Sequence, residues 1–158
     1  AQARPNVTVA SRLGADPMTA QVDHDQIKQV FWNLAMNAFE AMPAGGKLTI
    51  ATGRRRVGAG NRTGEVIEIL FQDTGEGIKE EALDKIFLPF FTTKKQGSGL
   101  GLAAVHRIVD LHNGWIRVES QEGKGSRFVV CLPVLAEAGP RLWYEGREPW
   151  SRESWKRS

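Results

Sequence analysis

The sequence predicts an α+β fold, a two-layer α/β sandwich in which a mixed sheet of about five strands carries about three helices on one face. The main observation is the order of the segments, because strand-like and helix-like patterns follow one another as β, α, ββ, α, loop, α, ββ. The last two strands flank the turn QEGKG, which is a hairpin pattern. The chain of 158 residues, 41% of them hydrophobic, is long enough to bury one core.

The N-terminal region is predicted to contain short strands. VTVASRL alternates apolar and polar residues as a half-buried strand does, and GADP supplies turn chemistry after it. We expect MTAQVD to form a second short strand before the first helix.

A long helix is predicted from Asp23 to Met42. Asp23 can cap this helix, with Gln26 three residues later as in a capping box. At about 100° per residue, Asn33 and Asn37 lie one turn apart on the border between the buried face and open space. The predicted core stripe consists of Ile27, Val30, Phe31, Leu34 and Ala38.

Two strands are expected after MPAGG, which ends the helix. KLTIATGRRR has the pattern of one strand, VGAGNRTG that of a loop, and EVIEILFQD that of the next strand. Strand side chains alternate between faces, so Asp73 shares a face with Ile67, Ile69 and Phe71. A carboxylate therefore ends an otherwise apolar row.

The C-terminal half is predicted to hold two helices and a hairpin. A short helix runs from Lys79 to about Phe87, and the glycine-rich loop FFTTKKQGSGLGLA follows it. The second helix, Leu102 to Leu111, ends at HNG. WIRVES and SRFVVCLPV then form the strands of the hairpin.

Composition excludes several classes of site. Cys131 is the only cysteine, which excludes an internal disulfide and a cysteine-rich metal site and fits a reducing cytoplasm. No apolar run approaches the roughly 20 residues that span a bilayer, and we expect no secretion signal in AQARPNVTVASRL. The net charge is +3, but 18 acidic residues are interspersed with the basic ones, which argues against a dedicated DNA-binding face.

Four motifs lie within about 70 residues: NLAMNAFEAM on the first helix, DTGEGI after a strand, FLPFF before the loop, and GSGLGLA where the next helix starts. In this order they resemble the N, G1, F and G2 boxes of the ATP-binding catalytic domain of sensor histidine kinases. That domain belongs to the superfamily of gyrase, the mismatch-repair ATPase and a heat-shock chaperone, and it implies a Bergerat-type ATP-binding fold. The resemblance runs from about Val7 to Pro133, and NAFEAMPAGG and FTTKKQGSGLGLAAVHRIV are most similar to the nitrogen-regulation type.

Asp73 is the predicted adenine contact. A carboxylate at a buried strand end can accept a hydrogen bond from the exocyclic amine of adenine, whereas guanine presents an oxygen there. Gly75 and Gly77, which precede Ile78 in the same segment, are expected to let the backbone approach the base and ribose without a Cβ in the way. The resemblance further implies that the Ser126 hydroxyl lies near the same carboxylate.

The two asparagines of the first helix are assigned to the phosphate end of the site. The resemblance makes Asn37 the Mg²⁺ ligand, and its amide oxygen suits a hard cation that keeps several waters. Hydrolysing members of the superfamily carry a glutamate that activates water where this chain has Asn33. An amide cannot act as a base near neutral pH, so the sequence favours transfer to a protein acceptor over hydrolysis.

The glycine-rich loop resembles the ATP lid of the family. Lys94 or Lys95 would approach the triphosphate, while backbone N–H groups and the positive end of the following helix dipole favour an anion. We expect Phe87, Phe90 and Phe91 to act as latches of the lid, at least one of them being ordinary core instead. The lid residues assigned to the nucleotide are Thr93, Lys94, Lys95, Gly97, Ser98, Gly99, Leu100, Gly101 and Leu102.

Two positions depart from the commoner pattern of the family. Glu40 and Ala41 stand where many members place a lysine and an aromatic residue. The resemblance therefore does not supply a basic phosphate contact or a ring beside the base at these positions.

We expect residues 1–135 to form the catalytic domain and residues 136–158 a tryptophan-rich basic tail, either a partly ordered appendage or a docking arm. No helical hairpin precedes Val7, so the resemblance implies a histidine on a separate dimerisation domain and, through it, a response regulator. His24, His106 and His112 are expected to be surface or helix-end residues. The domain alone is then expected to bind ATP without phosphorylating itself.

Three other functions are compatible with parts of the sequence. A serine kinase of the anti-sigma type shares this nucleotide site, and a non-catalytic interaction module could keep the fold. Nucleic-acid binding through GRRR and the basic tail is the third, and it predicts binding that depends steeply on salt.

Overall fold

The computed structural model describes residues 6–59, 62–94 and 97–135. The strands are β1 (Val7–Arg12), β2 (Gly46–Ala59), β3 (Arg62–Asp73), β4 (Trp115–Gln121) and β5 (Gly125–Pro133). The helices are α1 (His24–Glu40), α2 (Glu80–Leu83) and α3 (Gly101–Leu111). No helix in these three ranges is long and apolar enough to cross a membrane.

The strands form one mixed five-stranded sheet in the order β1-β2-β3-β5-β4. β1 runs parallel to β2, and the other neighbours are antiparallel. The pairing places β3 at the centre, with its last residue Asp73 opposite Leu48 of β2. The predicted α+β sandwich with a mixed sheet is thus confirmed.

The main core lies between one face of the sheet and the helices. Within the predicted stripe of α1, the Phe31 ring packs 5.7 Å from that of Phe71 on β3. α3 contributes Val105, Ile108 and Val109 to the same core. The stripe residues buried in the structure are Ile27, Val30, Leu34 and Ala38.

The start of α1 is joined to the end of α3. The Asp23 carboxylate caps α1 by accepting the N–H groups of Asp25 and Gln26 at 3.0 and 2.9 Å. In a capping box, the side chain three residues later accepts the backbone N–H of the N-cap residue. Here the Asp23 N–H donates instead to Nε2 of His112 at 2.8 Å. His112 is the C-cap of α3, with its Nδ1 2.8 Å from the carbonyl oxygen of Ile108.

MTAQVD is not a strand, which corrects the sequence prediction. Its apolar residues Met18 and Ala20 pack against the core from an irregular connection. The N–H of Leu135 donates to the carbonyl of Thr19 at 2.8 Å, but residues 18–23 form no ladder of strand pairs. The alternation of apolar and polar residues in MTAQVD therefore reflects core contacts made outside the sheet.

The predicted loop VGAGNRTG is mostly strand. β2 and β3 stay paired as far as Ala59 and Arg62. Glu65 forms ion pairs with Arg54 at 3.3 Å and Arg56 at 3.7 Å, which favours the longer ladder. With the Arg55–Glu68 pair, each arginine of GRRR therefore has a glutamate partner on β3.

The short helix ends earlier than predicted. α2 stops at Leu83 with Asp84 as its C-cap, and turns replace it as far as Phe90. After Leu83 the main chain forms i→i+3 bonds, from Lys85 to Ala82 and from Leu88 to Lys85, so turns follow the helix, and Pro89 disfavours helical geometry at Leu88.

Candidate functional site

Asp73 lies buried at the end of β3, as predicted. Only 4% of the residue is exposed. Its Oδ1 accepts the backbone N–H of Gly75 at 2.8 Å and that of Ser126 at 3.2 Å. The carboxylate is thus fixed by two main-chain donors from different parts of the chain.

The surroundings of Asp73 perturb its acidity. Burial raises the pKa of Asp73, while the hydrogen bonds from Gly75 and Ser126 and the positive charge of Lys94 act to lower it. A carboxylate in such a place interacts more strongly with a donor than one in bulk water. Asp73 is therefore suited to accept a hydrogen bond from a ligand.

Ser126 approaches Asp73 with its main chain, and its hydroxyl group faces Ser120. The two serine oxygens are 3.0 Å apart. Ser120 Oγ also accepts the N–H of Ile78 at 2.8 Å and donates to the carbonyl of Gly125 at 2.9 Å. Ser120 joins the hairpin to the loop after β3, and the sequence analysis missed it. The pairing of Ser120 with Ser126 across the hairpin was the available clue.

Gly75 and Gly77 are packed tightly against protein backbone. A Cβ on Gly75 would lie 2.3 Å from the carbonyl oxygen of Ala41, and one on Gly77 would lie 2.0 Å from that of Gln121. The space beside these glycines is filled by protein backbone. They seat the loop against the end of α1 and against the β4–β5 hairpin.

Asn33 and Asn37 face the glycine-rich loop. Asn33 Nδ2 donates to the carbonyl of Gly101 at 3.3 Å, and Asn37 Oδ1 accepts from Lys94 Nζ at 3.4 Å. Asn37 Nδ2 is buried, and it has no hydrogen-bond partner among the residues described. The ammonium of Lys94 also forms an ion pair with Glu40. The sequence analysis did not predict this ion pair between Glu40 and Lys94.

Main-chain contacts between Phe90 and Gly99 join the two ends of the glycine-rich loop. The Phe90 N–H donates to the carbonyl of Gly99 at 2.9 Å, and a Cβ on Gly99 would lie 2.5 Å from the backbone carbon of Phe90. Phe90 is 77% exposed, whereas Phe87 and Phe91 pack against the core. Two of the three predicted latches therefore contribute to the core.

The rest of the loop leads into α3. Thr93 and Gly97 are exposed, and Lys95 lies outside the described residues. Ser98 Oγ accepts the N–H of Leu100 at 3.3 Å. Within the described ranges no side chain caps α3, so its first N–H groups can serve an anion. The Leu102 side chain packs against the core.

The residues at Asn37 fit a cation. Asn37 Oδ1 and the Glu40 carboxylate already share the ammonium of Lys94. Over the described ranges, no group of three His, Cys, Asp or Glu residues could hold a metal ion. A metal at this position would therefore take most of its ligands from water and from a bound anion, which is how Mg²⁺ is commonly held.

Together these groups form a site with two chemically different ends. A buried acceptor, Asp73, lies at one end, and an amide oxygen, a lysine and the N-terminus of α3 lie at the other. Asn33 supplies no general base. The arrangement suits a ligand with a planar donor group and an anionic tail.

Comparison with known proteins identifies the family of the chain. A family model described as "Histidine kinase-, DNA gyrase B-, and HSP90-like ATPase" matches residues 22–136. The sensor histidine kinase ZraS of Escherichia coli K12 is 46% identical over 114 residues, covering 72% of this chain and 23% of ZraS. Sporulation kinase D of Bacillus subtilis 168 is 44% identical over 124 residues, covering 78% of this chain and 23% of that kinase. The chain spans about a quarter of the length of these curated relatives.

Solved structures give the same result. The nucleotide-free catalytic domain of histidine kinase ThkA has a TM-score of 0.67 and 32% identity, over 81% of this chain and 80% of that one. Full-length ShkA in complex with AMPPNP has a TM-score of 0.68 and 26% identity, over 84% of this chain and 27% of ShkA. The chain therefore belongs to the histidine kinase-, DNA gyrase B- and HSP90-like ATPase family, as the ATP-binding catalytic domain of the sensor histidine kinase type.

Proposed function

We propose that this domain binds ATP with Mg²⁺ and donates the γ-phosphoryl group to a histidine on a separate dimerisation domain of the same sensor kinase. A response regulator then takes the phosphoryl group from that histidine. The domain comprises residues 1–135 and works in the cytoplasm. The observation that carries the proposal is the buried Asp73 carboxylate, fixed by two backbone N–H groups at a site whose other end is cationic.

The adenine ring is recognised at Asp73. Because Gly75 and Ser126 hold Oδ1, the carboxylate is oriented before the ligand arrives and accepts the exocyclic amine. Ser120 supports it by holding Ile78 and Gly125 in place. Gly77 acts through its close packing against the hairpin. GTP, which has no amine at that position, should bind far more weakly.

The triphosphate binds between α1 and the glycine-rich loop. Asn37 would hold the Mg²⁺, which neutralises charge on the phosphates when it is bound. Lys94 leaves Asn37 and Glu40 and contacts a phosphate oxygen, and Lys95 is a second candidate for that contact. The remaining loop contacts are made by backbone N–H groups and small side chains of Thr93, Gly97, Ser98, Gly99, Leu100, Gly101 and Leu102.

Transfer is favoured over hydrolysis by Asn33. Its amide donates to the Gly101 carbonyl and links α1 to the start of α3, so it acts as a structural tie. An amide does not remove a proton from water near neutral pH, and phosphoryl transfer needs little beyond positioning and charge neutralisation. The ShkA complex with AMPPNP supports ATP as the donor nucleotide.

Calorimetric titration with ATP and GTP, with and without Mg²⁺, tests the proposal. Asp73→Asn keeps an oxygen for the two backbone donors but gives up the charge, so ATP affinity should fall roughly 10- to 100-fold, as for a hydrogen bond to a charged group. Asp16→Asn, on an exposed loop beyond the far end of β1, is the matched control and should leave affinity unchanged. Equal binding of GTP and ATP by the wild type would contradict the assignment.

Asn37→Asp tests the metal end separately. The new carboxylate changes the Mg²⁺ dependence of ATP binding, whereas affinity without Mg²⁺ should fall because the added charge repels the phosphates. Gln29→Glu adds the same charge to an exposed position of α1 about two turns away and is the control. Identical Mg²⁺ dependence in all three proteins would remove Asn37 from the metal site.

A further inference from the structure

Ser120 and Ser126 face each other across the β4–β5 hairpin, on the side of the sheet where Asp73 lies. The two serines are directly opposite in the strand register, so their side chains share one face of the sheet. Val118 and Phe128, each two residues along the strand from one of the serines, belong to the helix-side core. Asp73 ends the row of β3 that faces the same core. The two hydroxyl groups and the carboxylate are therefore on the same side of the sheet.

The hydrogen-bond partners of Ser120 fix the direction of its hydroxyl proton. Its Oγ is 2.9 Å from the carbonyl oxygen of Gly125 and 2.8 Å from the backbone nitrogen of Ile78. A carbonyl oxygen only accepts and a backbone N–H only donates, so the single hydroxyl proton of Ser120 goes to Gly125. One lone pair of the Ser120 oxygen accepts the N–H of Ile78, and the other is left for Ser126 Oγ at 3.0 Å. Ser120 can therefore only accept from Ser126.

The same count fixes the hydroxyl group of Ser126. If its proton pointed elsewhere, lone pairs of the two serine oxygens would face each other at 3.0 Å, which is repulsive. The proton of Ser126 therefore points to Ser120, whose own proton points to the Gly125 carbonyl. The backbone N–H of Ser126 donates to Asp73 Oδ1 at 3.2 Å, so the two residues are neighbours. Because Ser126 has no second hydroxyl proton, its hydroxyl oxygen offers the site only lone pairs.

We propose that Ser120 is a positioning residue for base recognition, which makes Ser126 an acceptor at the adenine position by taking up its hydroxyl proton. The proposal rests on ATP binding at Asp73. The carboxylate and the Ser126 oxygen then provide two acceptors for the exocyclic amine of adenine. A 6-oxo purine such as hypoxanthine presents an oxygen there and meets lone pairs on both residues. Ser120 thus contributes to the choice between purines without contacting the base.

Calorimetric titration with ATP and with ITP, whose base is hypoxanthine, tests the proposal in wild type and in Ser120→Ala. Loss of the Ser120 hydroxyl group frees the proton of Ser126 to rotate toward the 6-oxygen of ITP. The ratio of the ITP to the ATP dissociation constant, which should exceed one in wild type, should therefore fall about three- to tenfold, as for one neutral hydrogen bond. Ser120→Thr keeps a hydroxyl group and should restore the wild-type ratio. Ser11→Ala, at an exposed position of β1, is the control and should leave the ratio unchanged.

A double-mutant cycle separates this role from a merely structural one. Loss of the bonds from Ser120 to Ile78 and Gly125 should weaken both nucleotides alike, whether or not residue 126 carries a hydroxyl group. The fall in the ratio should therefore appear when Ser120→Ala is introduced into wild type and disappear when it is introduced into Ser126→Ala. Ser120→Cys, whose sulfur is only a weak acceptor, is measured in the same cycle. It replaces Ser120→Ala if that variant shows no cooperative thermal transition.

The wild-type titration and the cycle test two different assignments. An unchanged ratio in the folded alanine or cysteine variant would overturn the role of Ser120, and so would an equal fall in both backgrounds. Equal affinity of wild type for ATP and ITP, or no binding of ATP, would instead contradict the adenine assignment of Asp73 and, with it, the proposal.

Discussion

The two ends of the nucleotide site are built in opposite ways. Around Asp73 the chain is tightly packed, because a Cβ on Gly75 or Gly77 would lie only 2.3 or 2.0 Å from a main-chain carbonyl oxygen. At the glycine-rich loop, one lysine side chain, 39% exposed, makes the contacts to Asn37 and Glu40. The first region can recognise a base only in one geometry. The second can exchange its contacts when an anion binds.

The largest expected effect is a loss of stability when Gly77, in the tightly packed region around Asp73, is substituted. Gly77→Ala places a methyl group against the Gln121 backbone at a φ of +71°, and we expect a loss of about 3 kcal/mol or more in the free energy of unfolding. Gly123→Ala is the control, because Gly123 has a similar φ of +78° but nothing within 4 Å of its Cβ position. That variant should lose only about 1 kcal/mol. Equal losses in urea unfolding would show that backbone strain, not close packing, governs the region.

A smaller effect concerns the charge at the rigid end. Burial raises the pKa of Asp73 above the 3.8 of an unperturbed aspartate. The protonated carboxyl therefore contributes fully to the free energy of unfolding below pH 3.8. This contribution is lost as pH rises through the folded-state pKa of Asp73. Relative to Asp73→Asn, wild type should therefore lose free energy of unfolding as pH rises above 3.8 and through the raised folded-state pKa of Asp73. Urea unfolding across this range measures the difference, with Asp16→Asn as control, and a constant difference would contradict the prediction.

The same carboxyl links pH to binding. An adenine amine favours the ionised form of Asp73, so ATP affinity should decline as pH falls through the folded pKa. The decline should be absent in Asp73→Asn. Calorimetry at several pH values in the presence of constant Mg²⁺ measures it, and parallel profiles for the two proteins would exclude Asp73 as the group responsible.

The smallest effect concerns the exchangeable end. Glu40→Gln removes a half-exposed ion pair, so stability should change by less than about 1 kcal/mol. Lys94 is released for the phosphates, and ATP affinity should rise about two- to threefold, more at low salt. Glu65→Gln disrupts the exposed pairs of Arg54 and Arg56 on the β2–β3 hairpin and serves as control. A weaker affinity in Glu40→Gln would mean that Glu40 helps to hold the metal.

Local patterns predicted most of the fold. The helical period located the buried face of α1, and strand alternation located Asp73 at the end of an apolar row, because both depend only on residues near in sequence. The pattern MTAQVD failed, since its apolar residues are buried outside the sheet. The β2–β3 hairpin was longer than predicted because pairs such as Arg56 with Glu65 are formed only when the strands meet.

The site was predictable to a lesser extent. The positions of Asn33, Asn37 and Asp73 followed from period and motif, but their partners come from distant parts of the chain. The role of Gly75 depends on Ala41, and that of Lys94 on Glu40, neither of which is near in sequence. Ser120 carries no motif of its own; its place opposite Ser126 in the hairpin was the only clue, and its role follows from its three hydrogen-bond partners.

The bond between Asp23 and His112 has a mechanical consequence. It ties the first turn of α1 to the last turn of α3, while Asn33 and Gly101 touch nearer the opposite end of α3. α3 is therefore held to α1 by a hydrogen bond near each of its ends, and a tilt of one helix on the other has to break or stretch one of these two bonds.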